Sequence, residues 1–432
     1  MTSEARSTPA TAPSTDATDT PAEPVARVGR RFVGGIALVG LGMWTALYTP
    51  VQVLLAQQLE TIAPDDKTSA LGLVTGLGGV VALVATPLAG ALSDRTTSRF
   101  GRRKPWLAGG ALGAALGLVV LVPQTTVAGV ALGWCLVQLS LSAMLAGLVA
   151  EVPDHVPVGQ RAVVSAWVGA TQPLAVVLGT VLVTVTVSGP RGGYPLVAAV
   201  VVLFALPFVW SVEDARLPRS AVPAVSWSRF LAGFWISPRR HRDFALAWLT
   251  RLLVQLGNAT GTLYLLYFLR DEVRYEQRFP GRKAEQGLLT LVVVYTIGIV
   301  LTAFIGGVVS DRLGRRRSLV TASGVVIALG SALLAIWPTW PAALMAAGLM
   351  GLGYGVYVSV DQALITQVLP TASDRGRDLG VINIANSIPH VLAPAVAAVL
   401  VTHLGGYRSL FVFTSLLTLA GGILVQRIRS VP

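Results

Sequence analysis

The sequence predicts an all-α membrane protein whose twelve transmembrane helices form two pseudo-symmetric six-helix bundles. Three observations predict it. Of 432 residues, 53% are apolar and only 12% charged, with a mean hydropathy of +0.67, roughly half the charge of an ordinary soluble domain. Apolar stretches of spanning length follow one another from about residue 32 to the C-terminus. Segments of the first half then recur in the second at an offset of 216 to 217 residues. As readings of the whole chain, soluble enzyme, fibre and disordered polymer are excluded. A single cysteine, Cys135, also excludes a disulfide framework or a cysteine-based zinc site.

Residues 1–29 are rich in Thr, Ala, Pro and Ser and lack an apolar core, which predicts a disordered tail and not a cleaved signal peptide. A span needs about 20 predominantly apolar residues. α1 (32–58) follows Arg30-Arg31, and α2 (69–92) runs into a charged loop. α3 (105–123) carries a small-residue seam at Gly109, Gly113 and Gly117, and α4 (127–150) closes at Glu151. α5 (162–187) opens after Arg161 and contains Pro173; α6 (194–212) ends the N-terminal bundle, residues 30–212. A linker at 213–243 leads to the C-terminal bundle, residues 244–432. There α7 (244–269) holds Arg251, α8 (285–309) runs into a second charged loop, and α9 (317–337) follows it. α10 (341–368) contains Gly351-Leu-Gly-Tyr-Gly355, which has no preceding strand and reads as close helix packing, not a nucleotide loop. α11 (378–403) carries Pro389-His390, and α12 (407–426) ends the bundle.

An even number of spans puts both termini on one side. The tail, the connections on that side and the C-terminus hold 24 Lys and Arg residues against 8 in the opposite connections, with Arg251 inside α7. Positive loops stay in the cytoplasm, so both termini are expected there, in an inner or plasma membrane. The net charge of +12 then belongs to membrane topology, and no nucleic-acid partner is expected.

The repeat is the most informative feature. "GALSDRTTSRFGRRKPW" after α2 recurs as "GGVVSDRLGRRRSLV" after α8, Asp94 matching Asp311. "QRAVVSAWVGATQPLAVVLG" in α5 aligns with "GRDLGVINIANSIPHVLAPA" in α11, Pro173 matching Pro389. Parallel repeats with a site between them are a secondary-transporter architecture, worked by rocking of the halves. The doubled G-x-x-x-D-R-x-G-R-R loop resembles the signature of the major facilitator superfamily. Its longer form "SDRTTSRFGRRKPW", with "EVPDHVPVGQR" between α4 and α5, is similar to the glycoside-pentoside-hexuronide cation symporters and their sucrose-transporter-like relatives. The resemblance implies alternating access and a central cavity lined by α1, α4, α7 and α10.

The chemistry of the loops predicts a gate. Asp94 and Asp311 can cap a neighbouring helix N-terminus, while Arg95, Arg102, Arg312 and Arg315 can bond carboxylates or carbonyls at facing helix ends. Glu151, at the edge of α4, is expected to meet these arginines. Such contacts would close the cytoplasmic side while the site faces outward. The competing reading is that the arginines serve only as orientation signals and lipid anchors.

Each lining helix carries a polar or aromatic stripe at helical spacing. These are Trp44, Tyr48 and Gln52 in α1; Trp134, Gln138 and Ser142 in α4; Arg251, Gln255, Asn258 and Thr262 in α7; and Tyr354, Tyr357 and Asp361 in α10. Asn383 and Asn386 in α11 extend the candidate substrate-binding set. Such groups are costly against lipid and should face a cavity or one another. Ring faces with amides suit a neutral polyol, although an aromatic drug-like solute fits the same lining.

Arg251 and Asp361 should sit at the same depth, about 12 Å from the cytoplasmic ends of their helices, and are expected to pair. Asp361 and His390 are the candidate proton carriers, His390 otherwise being a hydrogen-bonded interior histidine beside Asn383, Asn386 and Ser387. Melibiose-type sodium symporters in the resembled family place carboxylates inside helices 2 and 4 and a Lys in helix 11. This chain has neither, which leaves a proton as the candidate coupling ion, or uniport.

The sequence therefore predicts a non-enzymatic carrier, acting as a monomer in the bilayer without a cofactor, that moves a small solute such as a sugar or glycoside. An exporter of drugs or secondary metabolites is the alternative within the fold, and a non-transporting receptor or scaffold the alternative from another class.

Overall fold

The computed structural model describes residues 26–187, 189–214, 241–313, 315–368 and 375–429. The expected tail at 1–29 and linker at 213–243 lie mostly outside these residues. So do the side chains of Asp311, Arg312, Asn383 and Asn386.

All twelve expected helices form, and the described residues contain no strand. The first helix of each half is irregular. α1 runs Arg30–Thr49, loosens into a π-helical turn at Pro50–Leu54 and continues as Leu55–Ile62. Pro50 supplies no N–H and so cannot continue the regular hydrogen-bond ladder. α7 runs Arg242–Leu263 and bends by 43° into Leu265–Asp271, with Tyr264 at the joint (φ −103°, ψ 15°). The first helix of each half is thus irregular about two turns before its end, at the end of the molecule away from the termini.

The remaining spans are α2 Lys67–Ser93, α3 Lys104–Leu121, α4 Val127–His155 and α5 Val158–Val181, the last continuing through a π turn, Leu182–Thr186. Then come α6 Pro190–Ser211, α8 Ala284–Leu313, α9 Arg316–Ile336, α10 Trp340–Val368, α11 Arg375–His403 and α12 Gly406–Leu424. A one-turn helix, Tyr275–Arg278, lies between α7 and α8. α4 starts where Thr126 accepts a hydrogen bond from the Gly129 N–H at 3.1 Å, an N-cap that satisfies one orphan donor.

Leu132, Leu203 and Trp210 are more than 65% exposed and belong to the outer, lipid-facing surface. Inside each half glycines let helices touch: a Cβ at Gly110 would lie 2.7 Å from the Ser140 carbonyl oxygen, and one at Gly353 2.9 Å from that of Ser323. The halves meet through α2 against α11 and, more loosely, α5 against α8. Those two pairings are exchanged by the repeat, so they lie on either side of the pseudo-symmetry axis. Gly79 marks the tighter one, since a Cβ there would lie 2.6 Å from the His390 carbonyl oxygen.

Candidate functional site: a tyrosine and amide cluster between the halves

The loop between α2 and α3 is held by a carboxylate the sequence reading did not select. Asp214, just past α6, accepts hydrogen bonds from the backbone N–H groups of Arg103 (2.5 Å) and Lys104 (2.8 Å) and so caps α3. Gly101 has φ +106°, which favours glycine, and a Cβ there would collide with the Asp214 side chain. Asp94 does not take the capping role expected of it. It accepts from Arg103 Nη2 at 2.7 Å instead.

Arg103 is 3% exposed and also donates to Ser93 Oγ (2.6 Å) and Asp154 Oδ2 (2.8 Å). Burial opposes its charge, but Asp154 and Asp94 outweigh that and hold the guanidinium above its ordinary pKa. Arg102 reaches both Asp154 oxygens at 3.2 Å. Glu151, expected to receive these arginines, is fully buried and faces His155 Nδ1 at 2.9 Å. The reason is depth. Asp154 lies three residues, about 4.5 Å of rise, nearer the loop, whereas Glu151 is turned inward with His155, whose ring contacts Phe32 of α1 at 5.7 Å between centroids. Arg95 is half-buried, and Arg315 is exposed at the start of α9. Each of the loop contacts described above stays within the N-terminal half.

Between the halves the stripes of α7 and α10 come together. The Tyr354 hydroxyl donates to Gln255 Oε1 at 2.8 Å. The Tyr295 hydroxyl, from α8, donates to Asn258 Oδ1 at 2.9 Å. The rings of Tyr295 and Tyr354 stack at 6.2 Å, with Tyr357 5.9 Å beyond Tyr354. Facing them from α1, Trp44 stacks on Tyr48 at 5.8 Å, and the Tyr48 oxygen accepts from Gln172 Nε2 of α5 at 2.6 Å. Tyr48 lies in the neighbourhood of Tyr295 and Tyr354 of the other half. Gln52 is half-buried, with its Oε1 unpartnered.

Arg251 and Asp361 lie beside this cluster. Arg251 Nε and Nη2 both reach Asp361 Oδ2 at 2.7 Å, with the two residues 4% and 3% exposed. The buried Tyr357 side chain sits next to the pair.

The α4 stripe does not join the cluster. Trp134 is fully buried with its indole against Gly78 of α2, and Gln138 packs on the same glycine. The rotation of α4 turns this face to α2, which its even apolarity did not disclose. The His390 side chain, in α11, reaches the surface of the protein.

Sequence reasoning missed Gln172, Tyr295, Asp154 and Asp214. Gln172 adjoins Pro173 within the aligned repeat, and Tyr295 is a tyrosine in an otherwise apolar run; either could have served as a signal. Among the described residues no three His, Cys, Asp or Glu side chains gather into a metal-binding group.

Comparison with known proteins agrees with this architecture. The structure of the nucleoside transporter NupG superposes with a TM-score of 0.69 at 14% identity, covering 92% of this chain and 98% of that one, a likeness of fold. An 80-residue segment is 43% identical to proton-associated sugar transporter A of Homo sapiens, covering 18% of this chain and 10% of that protein. Another, of 120 residues, is 29% identical to the uncharacterized MFS-type transporter YfiU of Bacillus subtilis (strain 168), covering 28% of this chain and 23% of that one. The matched segments therefore span less than a quarter of either curated relative. The model of the Major Facilitator Superfamily matches residues 32–284 and again 279–432, and with twelve helices in two related halves the chain belongs to that superfamily of membrane transporters.

Proposed function

We propose that this transporter moves a neutral, polyhydroxylated solute, a sugar or glycoside, through the gap between residues 30–212 and 244–432, with a proton as coupling ion. The observation that carries the reading is the set of phenol and amide pairs, Tyr48 with Gln172, Tyr295 with Asn258, and Tyr354 with Gln255. Each pair offers spare donors and acceptors to hydroxyl groups, and the stacked rings offer faces to sugar C–H surfaces. The charges beside the gap, Arg251 and Asp361, neutralise each other, so the lining favours a solute without net charge. The short match to a proton-associated sugar transporter supports the same substrate class, as does the resemblance of the α2–α3 loop to the glycoside-pentoside-hexuronide branch. Asp361 is the proposed proton carrier, exchanging Arg251 for a proton during the cycle. The positive-inside bias supports a cytoplasmic location for both termini.

The test is uptake and counterflow in proteoliposomes, screening sugars and glycosides, nucleosides and lipophilic cations with and without a pH gradient. Saturable sugar counterflow, accelerated by an inward proton gradient, is expected. Counterflow of lipophilic cations alone would establish an exporter of drug-like molecules instead.

A further inference from the structure

The two copies of the charged loop differ in length. Residues 96–100 separate Arg95 from Gly101 in the α2–α3 loop, whereas Leu313 alone separates Arg312 from Gly314 in the α8–α9 loop. Arg99 and Phe100 therefore have no counterpart in the other half. The extra residues are held in place by local bonds. The Phe100 N–H donates to Ser98 Oγ at 3.1 Å, Trp106 Nε1 donates to Thr96 Oγ1 at 2.8 Å, and the turn at Gly101 packs on Asp214.

Arg99 and Phe100 form one wall of a crevice of about 550 Å³ between the start of α3 and the end of α6. The Arg99 guanidinium lies 4.7 Å from the Phe100 ring centroid. Lys104 lines the same crevice, with Ala108, Val209 and Trp210. Phe100 is 63% exposed and Trp210 77%, as aromatic rings are at a membrane–water interface. The crevice runs on into the lipid-facing surface. Ala108, Leu112 and Leu116 recur every fourth residue on one stripe of α3, and Leu203 stands two turns from Trp210 on α6; all three leucines are exposed.

The charges of the crevice are not cancelled internally. Asp214 lines it too, but its Oδ2 accepts from the N–H groups of Arg103 and Lys104, so it is committed to the α3 N-terminus, and that terminus has no need of a ligand. Arg102 and Arg103 are paired with Asp94 and Asp154. Among the described residues neither Arg99 nor Lys104 is paired with a carboxylate. Exposed Glu213 is the one further acid on the rim. Two uncommitted cations thus face one carboxylate at the head of an apolar, aromatic-walled track. A small anion would use only the cations, which water screens, whereas an anionic amphiphile uses both parts. We propose that this crevice binds the headgroup of an anionic phospholipid, its phosphate between Arg99 and Lys104 and an acyl chain along Ala108, Leu112 and Leu116. The bound lipid ties the longer loop to the bilayer at the terminus-bearing end, whatever solute the transporter moves.

The site is tested on the purified full-length protein by native mass spectrometry. Phosphatidylglycerol, phosphatidylethanolamine and phosphatidylcholine with identical acyl chains are titrated in turn. Phosphatidylglycerol should bind first and most tightly, with one molecule retained. Arg99→Gln and Lys104→Gln should each weaken that binding about fivefold, the equivalent of about 1 kcal/mol for each cation near a membrane surface. Arg427→Gln removes an exposed cation just past α12, at the same end but outside the crevice, and should leave it unchanged. Phe100→Ala with Trp210→Ala keeps both charges and should also weaken it. Melting curves without added lipid establish that each variant is folded, and if Lys104→Gln is not, Arg99→Gln and the aromatic double variant decide the matter. Equal affinity for phosphatidylglycerol and phosphatidylcholine would refute the site. Preference for phosphatidylethanolamine would overturn the anionic assignment, since Glu213 would then be selecting an ammonium group. An equal loss in Arg427→Gln would assign the effect to general charge. Displacement of the lipid by equimolar glycerol 3-phosphate would show a site for soluble anions and overturn the proposal.

Discussion

Arg251 and Asp361, 110 residues apart in sequence, share one carboxylate oxygen at 2.7 Å in the interior of the C-terminal half. Neither is more than 4% exposed. Removing one partner would leave the other charged in a medium that solvates it poorly, which typically costs about 3–5 kcal/mol. Arg251→Ala and Asp361→Ala should therefore each lower the thermal transition of the purified protein markedly. Arg251→Asp combined with Asp361→Arg should recover much of the expression. Single variants that unfold at the wild-type temperature would show that the pair holds nothing together.

The same pair makes a separate prediction about coupling. If Asp361 releases Arg251 when it takes up a proton, Asp361→Asn mimics the protonated form permanently. Uptake by this variant should lose its response to a pH gradient while counterflow, which needs no net proton movement, persists. An undiminished gradient response would assign the proton to another group, with His390 next in line.

Binding should separate from packing among the aromatic residues. Tyr354→Phe, Tyr48→Phe and Asn258→Ala each remove one member of a hydrogen-bonded pair. Each should weaken solute binding by roughly two- to tenfold, the range of a net hydrogen bond of about 0.5–1.5 kcal/mol, with little change in thermal stability. Trp134→Ala should do the reverse: it empties a fully buried site against Gly78, and Trp to Ala typically costs about 3–5 kcal/mol of stability. Binding isotherms measured beside melting curves decide the matter, and equal effects of all four substitutions on both readouts would erase the distinction.

At the terminus-bearing end, Asp154 should matter more than Glu151 to the α2–α3 loop. Asp154→Asn withdraws the charge that both Arg102 and Arg103 contact, so proteolysis and hydrogen exchange of residues 94–103 should accelerate. Glu151→Gln should leave the loop protected. Arg103→Lys should behave like Asp154→Asn, because a single ammonium cannot reach Ser93, Asp94 and Asp154 together as the guanidinium fork does. Loop protection unchanged in Asp154→Asn would show that Asp214 alone secures it.

Hydropathy, the doubled loop and the offset of 216 to 217 residues were enough to establish twelve helices in two related halves and membership of a transporter superfamily. These properties are local or periodic: lipid selects apolar length, and a repeat is visible wherever two segments share a spacing. The depth of Arg251 and Asp361 was also legible, because rise per residue converts position into height. Rotation was not. In a helix as evenly apolar as α4, nothing in the order of residues says which face meets α2, so Trp134 read like Trp44 although one packs against Gly78 and the other stacks on Tyr48. Nor could one loop's partners be read from its own charges. Asp214 reaches the N-terminus of α3 from 110 residues away, and Asp154 takes the arginines because it lies one turn nearer than Glu151. The contact between the halves depends most on tertiary structure: Lys67 at the start of α2 meets Asp271 at the tilted end of α7, and the packing of two halves against each other is decided by neither helix alone.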